Sequence, residues 1–236
     1  MKVFCIGFNK TGTTSLHEWF TLAGLDSCHD ATYQKRTRTM EPAALRTYLD
    51  AHDAFSDGSR ANVPLLLEMY PDARFVLNTR QLQAWLESRV THVFRQGGVA
   101  LAEPEGVGGQ LRPGLWSGGM AQEYLRDSAQ AISDWIDRRE FFHRSVLGLF
   151  ANDASRHLLV LNVTGNPDWP TELASFLDIP APHPSGAGIH ANQATADPDR
   201  FDLTARLHEI ETVLSHKAIP PAEWQSEVYV GFRASA

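Results

Sequence analysis

With 236 residues the chain has the length of one large domain, long enough to bury a core without disulfides or metals. A hydrophobic fraction of 43%, a charged fraction of 21% and a net charge of −7 describe an ordinary globular protein and argue against one built to coat nucleic acid or an anionic membrane. Two cysteines exclude a disulfide scaffold, no apolar run reaches the roughly 20 residues of a membrane span, and residues 1–7 lack a signal peptide's pattern, so a cytoplasmic protein is expected.

Apolar runs of strand length alternate with longer stretches of helical period, the pattern of βαβ units around a mainly parallel sheet flanked by helices. A strand is predicted over residues 2–7, then a tight turn, then a helix over 13–23 with Leu16, Phe20 and Ala23 on one face. A short strand follows at 25–29. Pro42 suits the start of a helix carrying Leu45, Tyr48 and Leu49. Residues 53–56 form another strand, ending at Asp57. A helix over 63–69 stops at Tyr70-Pro71, and residues 74–79 make the clearest strand. A helix with Leu82, Trp85, Leu86 and Val90 follows it. Residues 97–119, rich in glycine, read as a flexible loop in which Trp116 is a lid candidate. One long helix is expected over 120–143, a strand over 157–163, a helix over 169–177, a second flexible loop at 180–200 and a helix over 201–214. No repeat or clear boundary divides this into more than a single domain, 1–236.

The turn after the first strand carries the chemistry. Strand, glycine turn and helix place backbone N–H groups and the positive end of the helix dipole where an anion binds, and Lys10 adds a full charge. An NTPase phosphate loop reads G-x-x-x-x-G-K-[ST], with lysine after the second glycine. Here Lys10 precedes Gly12, and Thr13 and Thr14 follow, so the loop is of a different kind. Ligands of an open parallel sheet sit beyond the carboxyl ends of its strands. There the 74–79 strand leads into Arg80, with Ser88 eight residues on, and the 157–163 strand leads into Thr164. Arginine and serine together suit a second anion. A ligand with phosphates at two positions satisfies both sites.

The segment Gly7-Phe-Asn-Lys-Thr-Gly-Thr-Thr-Ser-Leu16 resembles the 5′-phosphosulfate loop of sulfotransferases that use 3′-phosphoadenosine 5′-phosphosulfate (PAPS). Phe75-Val-Leu-Asn-Thr-Arg80, with Trp85 and Ser88, is similar to their 3′-phosphate motif at the expected spacing. The resemblance covers about residues 1–95 and, more loosely, 157–183. It implies a P-loop-like α/β sulfotransferase architecture. It also implies a PAPS site at Lys10, Thr11, Gly12, Thr13, Thr14, Ser15, Arg80 and Ser88, with release of a 3′,5′-bisphosphate nucleotide. Lys10 would neutralise charge on the bridging oxygen. Two departures are plain: the C-terminal Arg-Lys-Gly…Gly-Asp-Trp-Lys loop of the cytosolic small-molecule enzymes has no counterpart here, and Ser15 stands where they carry an adenine-stacking tryptophan.

An acceptor hydroxyl, on a small molecule or glycan, needs a base within hydrogen-bond reach. Asp57 and His29 are the candidates, Asp57 from its place after a strand and His29 from its pKa range. The basic run Lys35, Arg36 and Arg38 reads as a solvated loop or as a seat for an anionic acceptor. No histidine or cysteine spacing suggests a metal, and no nucleic acid or membrane partner is expected. Two competing functions are a nucleotide-dependent kinase, which predicts a lysine after the second glycine, and a non-catalytic module binding a 3′,5′-bisphosphate nucleotide.

Overall fold

Five short apolar runs become the strands of one all-parallel sheet: β1 (Val3–Cys5), β2 (Ser27–Cys28), β3 (Ala54–Phe55), β4 (Arg74–Asn78) and β5 (His157–Leu161), in the order β2-β3-β1-β4-β5. The computed structural model describes residues 1–30, 32–59, 61–101, 118–151, 153, 155–182 and 203–228. The helices are α1 (Thr13–Leu22), α2 (Thr32–Thr39), α3 (Pro42–Asp50), α4 (Val63–Met69), α5 (Leu82–Leu101), α6 (Gly118–Arg126), α7 (Ser128–Ala151), α8 (Trp169–Leu177), α9 (Leu203–His216) and α10 (Pro221–Trp224). The expected α/β architecture, a central parallel sheet flanked by helices, is therefore the observed one.

The described chain falls into two compact units, Met1–Arg80 with His143–Gln193, and Gln81–Phe142 with Ala194–Ala236. The first contains the whole sheet. Side chains alternate across β1: Val3 and Cys5 join Leu16, Trp19 and Phe20 of α1 and Trp169, Leu173 and Leu177 of α8 in one core cluster. Phe4 faces the other way, its ring 5.4 Å from Phe55 and 5.5 Å from Phe75. Burial on both faces explains why the central strands read as continuous apolar runs. The chain reaches β2 and β3 on one side of β1 and β4 and β5 on the other, so β1 sits at the switch point of the sheet.

The second unit is helical. Trp85 and Trp135 are buried in it, with the Arg89 guanidinium 4.7 Å and 4.5 Å from their ring centres. The Arg139 guanidinium donates to the Glu227 carbonyl at 2.7 Å. Among the described residues no helix is long and apolar enough to cross a membrane.

The structure corrects three expectations. The single helix over 120–143 is two, α6 and α7, separated at Asp127, whose carboxylate accepts the Gln130 N–H at 3.0 Å and starts the second helix. The glycine-rich stretch is not a loop at its ends: α5 runs on through Gly97 and Gly98, and α6 begins at Gly118. Glycine weakens a helix by about 1 kcal/mol but does not by itself end one. Residues 102–117, with Trp116, and 183–200 of the second predicted loop lie outside the described residues. The basic run Lys35, Arg36 and Arg38 is not a loop but part of α2, started by Asp30, whose carboxylate accepts the Thr32 N–H at 2.7 Å.

Candidate active site

The turn between β1 and α1 owes its shape to glycine and asparagine. Gly12 is the N-cap of α1 at φ 88, and a β-carbon there would meet Val163 Cγ1 at 2.6 Å, so conformation and space both demand glycine. Lys10 also adopts the left-handed region, φ 68, which costs a side-chain-bearing residue free energy and has to be compensated by its surroundings. Asn78, the buried last residue of β4, supplies part of that support. Its side-chain oxygen accepts the Gly7 N–H at 2.9 Å, and its Nδ2 donates to Thr11 Oγ1 at 2.6 Å. The Thr11 hydroxyl in turn donates to the Phe8 carbonyl. On the β5 side, Asn162 Oδ1 accepts the N–H groups of Thr164 and Gly165 at 3.1 and 2.9 Å, fixing the turn that carries Val163 against Gly12.

The start of α1 has the character of an anion seat. No N-cap side chain closes it, and no acid stands in its first turn. Thr13 and Thr14 occupy that turn, part-exposed, with Ser15 buried behind them. The Arg80 guanidinium, at the end of β4, reaches back to donate to the Lys10 carbonyl at 3.4 Å. It thus brings a second cation to the loop.

The ends of β2 and β3 supply acid–base groups on the same edge of the sheet. Asp57 stands two residues beyond the end of β3, after Ser56. Burial raises its carboxyl above the ordinary aspartate value, and the Asp30 charge adds to this; His29 and Lys10 are near enough to pull the other way. Asp30 behaves oppositely. Burial opposes its charge, but the two hydrogen bonds from Thr32, with Arg36 and His29 nearby, hold it below the usual range. Two carboxylates on one edge are thus driven apart, Asp30 toward a permanently charged cap and Asp57 toward a proton acceptor. His29 is exposed, its Nδ1 2.8 Å from the buried Ser56 hydroxyl, and its ring stacks on that of His17 at 5.4 Å.

The structure brings Lys10, Asp57 and His29 into one electrostatic cluster, with Thr11, Gly12, Thr13, Thr14, Ser15 and Arg80 in the same unit. Ser88 lies nearly two turns into α5, in the second unit. Of the basic run, Arg36 covers the Tyr48 ring at 4.2 Å, and Lys35 is exposed. Sequence reasoning passed over Asn78, Ser56 and Asn162. The available signal was a small polar residue at the carboxyl end of an apolar strand, where no core position requires one. Among the described residues no group of three His, Cys, Asp or Glu is arranged to hold a metal ion.

Residues 2–187 match the family model described as Sulfotransferase domain. No curated protein matches the chain.

Proposed function

The chain belongs to the sulfotransferase domain family, and we propose that it transfers a sulfuryl group from PAPS to a hydroxyl, in preference to an amine, of a small molecule or glycan. The observation that carries this reading is the neighbourhood of Lys10 and Asp57. A cation stands in the glycine turn before α1, and a carboxyl that burial has made more basic stands beyond the end of the neighbouring strand. The start of α1, with no side-chain cap and no acid in its first turn, supports a donor seated by its 5′-phosphate end.

When bound, the donor supplies an activated sulfuryl group, whose transfer forms an acceptor O–S bond and breaks the bond to its 5′-phosphate. The first turn of α1, with Thr13 and Thr14, holds the 5′-phosphate end by backbone and hydroxyl donors. Lys10 stabilises negative charge where the leaving oxygen develops it. Arg80 takes the second phosphate, by the planar, bidentate geometry that suits guanidinium. Ser88 keeps the role that motif spacing assigns it. Asp57 accepts the acceptor's proton, and its raised pKa makes it a stronger base than an exposed aspartate.

Transfer of radiolabelled sulfate from PAPS to a panel of hydroxyl acceptors tests the reading, with Lys10→Ala as the control. Thermal shift adds a second arm. Stabilisation by a 3′,5′-bisphosphate nucleotide is expected, whereas stabilisation by ATP–magnesium alone would favour a kinase. Tight bisphosphate binding without transfer to any acceptor would favour a binding module. Full turnover by Lys10→Ala would remove that residue from the mechanism.

A further inference from the structure

The Ser56 hydroxyl has one hydrogen and two neighbours. It lies 3.4 Å from the Cys28 carbonyl, which can only accept, and 2.8 Å from Nδ1 of His29, which donates or accepts according to tautomer. Only one assignment satisfies both contacts: the serine donates to Cys28 and accepts from a protonated Nδ1. Ser56 is fully buried, and the Cys28 carbonyl, which has two lone pairs, also accepts its main-chain N–H at 3.1 Å. His29 as a whole is exposed. The Nδ1 edge is the one turned to the buried serine, which leaves Nε2 on the other edge of the ring. Stacking on His17, which hydrogen-bonds through its own Nδ1 to Ser27 at 2.9 Å, restrains ring rotation.

We propose that Ser56 is a positioning residue that holds His29 as its Nδ1–H tautomer, leaving the Nε2 lone pair to receive a hydrogen bond from a second hydroxyl or N–H of the acceptor, beside the hydroxyl whose one proton goes to Asp57. Beyond the proposed transfer, which names Asp57 as the base for the reacting hydroxyl, this assigns His29 the orientation of the acceptor through that second donor. It thereby selects acceptors that donate a hydrogen at that point. Among the described residues, the ionisable groups that stack on or act with the ring are His17 from α1, Asp30 from its own loop and Asp57 after β3, with Lys10 acting in turn on Asp57. The inference rests on the sulfotransferase reading only for the identity of what Nε2 receives.

Long-range proton–nitrogen NMR of the 15N-labelled protein, with the His29 signals assigned by their loss in His29→Gln, reads the tautomer without donor or acceptor. The Nδ1–H form is expected in the unsubstituted protein, with a shift toward the Nε2–H form in Ser56→Ala. A predominant Nε2–H form in the unsubstituted protein would overturn the proposal, whether or not Ser56→Ala folds. So would an unchanged tautomer in Ser56→Ala. In turnover, Ser56→Ala is expected to raise KM for the acceptor several-fold, with 3′,5′-bisphosphate affinity unchanged and Ser56→Thr restoring the loss. If no acceptor is sulfated while the Nδ1–H form is present and lost in Ser56→Ala, the sulfotransferase reading fails and the tautomer assignment stands.

Discussion

The loop after β1 and the strand ends of β2 and β3 share one edge of the sheet, but they are built by opposite means. The loop is a matter of backbone: Gly12 and Lys10 in the left-handed region, no side-chain cap on α1, and Asn78 clamping Gly7 and Thr11 from the neighbouring strand. The strand ends are a matter of side chains: His29 on Ser56, His29 on His17, Asp30 on Thr32, and Asp57 half-buried among them. An anion of fixed charge is met best by a rigid shape that needs no adjustment. A proton acceptor needs an environment that tunes its pKa, and burial with neighbouring charges does that. The loop should therefore respond to substitution through geometry and strain, and the strand ends through protonation.

The largest expected effect breaks the loop side. Lys10→Ala should lower transfer by about a thousandfold, the scale of losing a group aimed at developing charge, measured as kcat with labelled PAPS. Lys10→Gly should lose as much activity and yet gain up to about 1 kcal/mol in urea denaturation, because φ 68 suits glycine. A less stable Lys10→Gly would show that the loop is not strained there.

Asp57→Asn tests the other side and should lower kcat by about a hundredfold. Because burial raises the folded-state pKa of Asp57 above its unfolded value, its contribution to stability is greatest in acid and is lost as pH rises through the folded pKa. Asp57→Asn should therefore be as stable as the unsubstituted protein at neutral pH, or more so. The sign for activity is the reverse: turnover should fall as pH drops through that raised value. The acid limb of the pH–rate profile should then lie above the ordinary aspartate range and disappear in Asp57→Asn. A limb at the ordinary value would transfer the role of base to another group.

Asn78→Ala sharpens the contrast, since it touches the loop without touching a ligand. It leaves the Gly7 N–H without its partner and should cost about 1–3 kcal/mol in denaturation, with weaker bisphosphate binding. The smallest effect belongs to Arg80→Ala, expected to weaken a 3′,5′-bisphosphate by about tenfold and a 5′-monophosphate hardly at all, by calorimetry. Equal losses for both ligands would show that Arg80 acts through the Lys10 carbonyl rather than on a second phosphate.

Much of this was legible in the sequence where a pattern is local. The strand, turn and helix around Gly12, the 63–69 and 169–177 helices, and the strand ending before Arg80 follow from periodicity, proline and glycine placement, and apolar runs. The order of Lys10 and Gly12 distinguished the loop from an NTPase loop. The structure moved the elements whose signals conflict with their surroundings. Gly97 and Gly98 read as loop but continue α5, and Asp127 falls inside the single helix expected over 120–143 but separates α6 from α7 by capping. Ser56 and Asn78 were invisible as site residues because their partners lie 27 and 71 positions away in sequence.

The sequence by itself determined the parallel α/β class, the glycine turn between the first strand and helix and the cation within it, because each depends on neighbours a few residues apart. Only the tertiary structure decided that Asn78 braces that loop, that Asp57 is the carboxyl made basic while Asp30 is a cap, and that Ser56 faces His29. Those outcomes depend on the parallel stacking of β2, β3, β1 and β4, which brings to one edge residues that the chain keeps apart. Burial and charge then act across strands, through distances that no local pattern encodes.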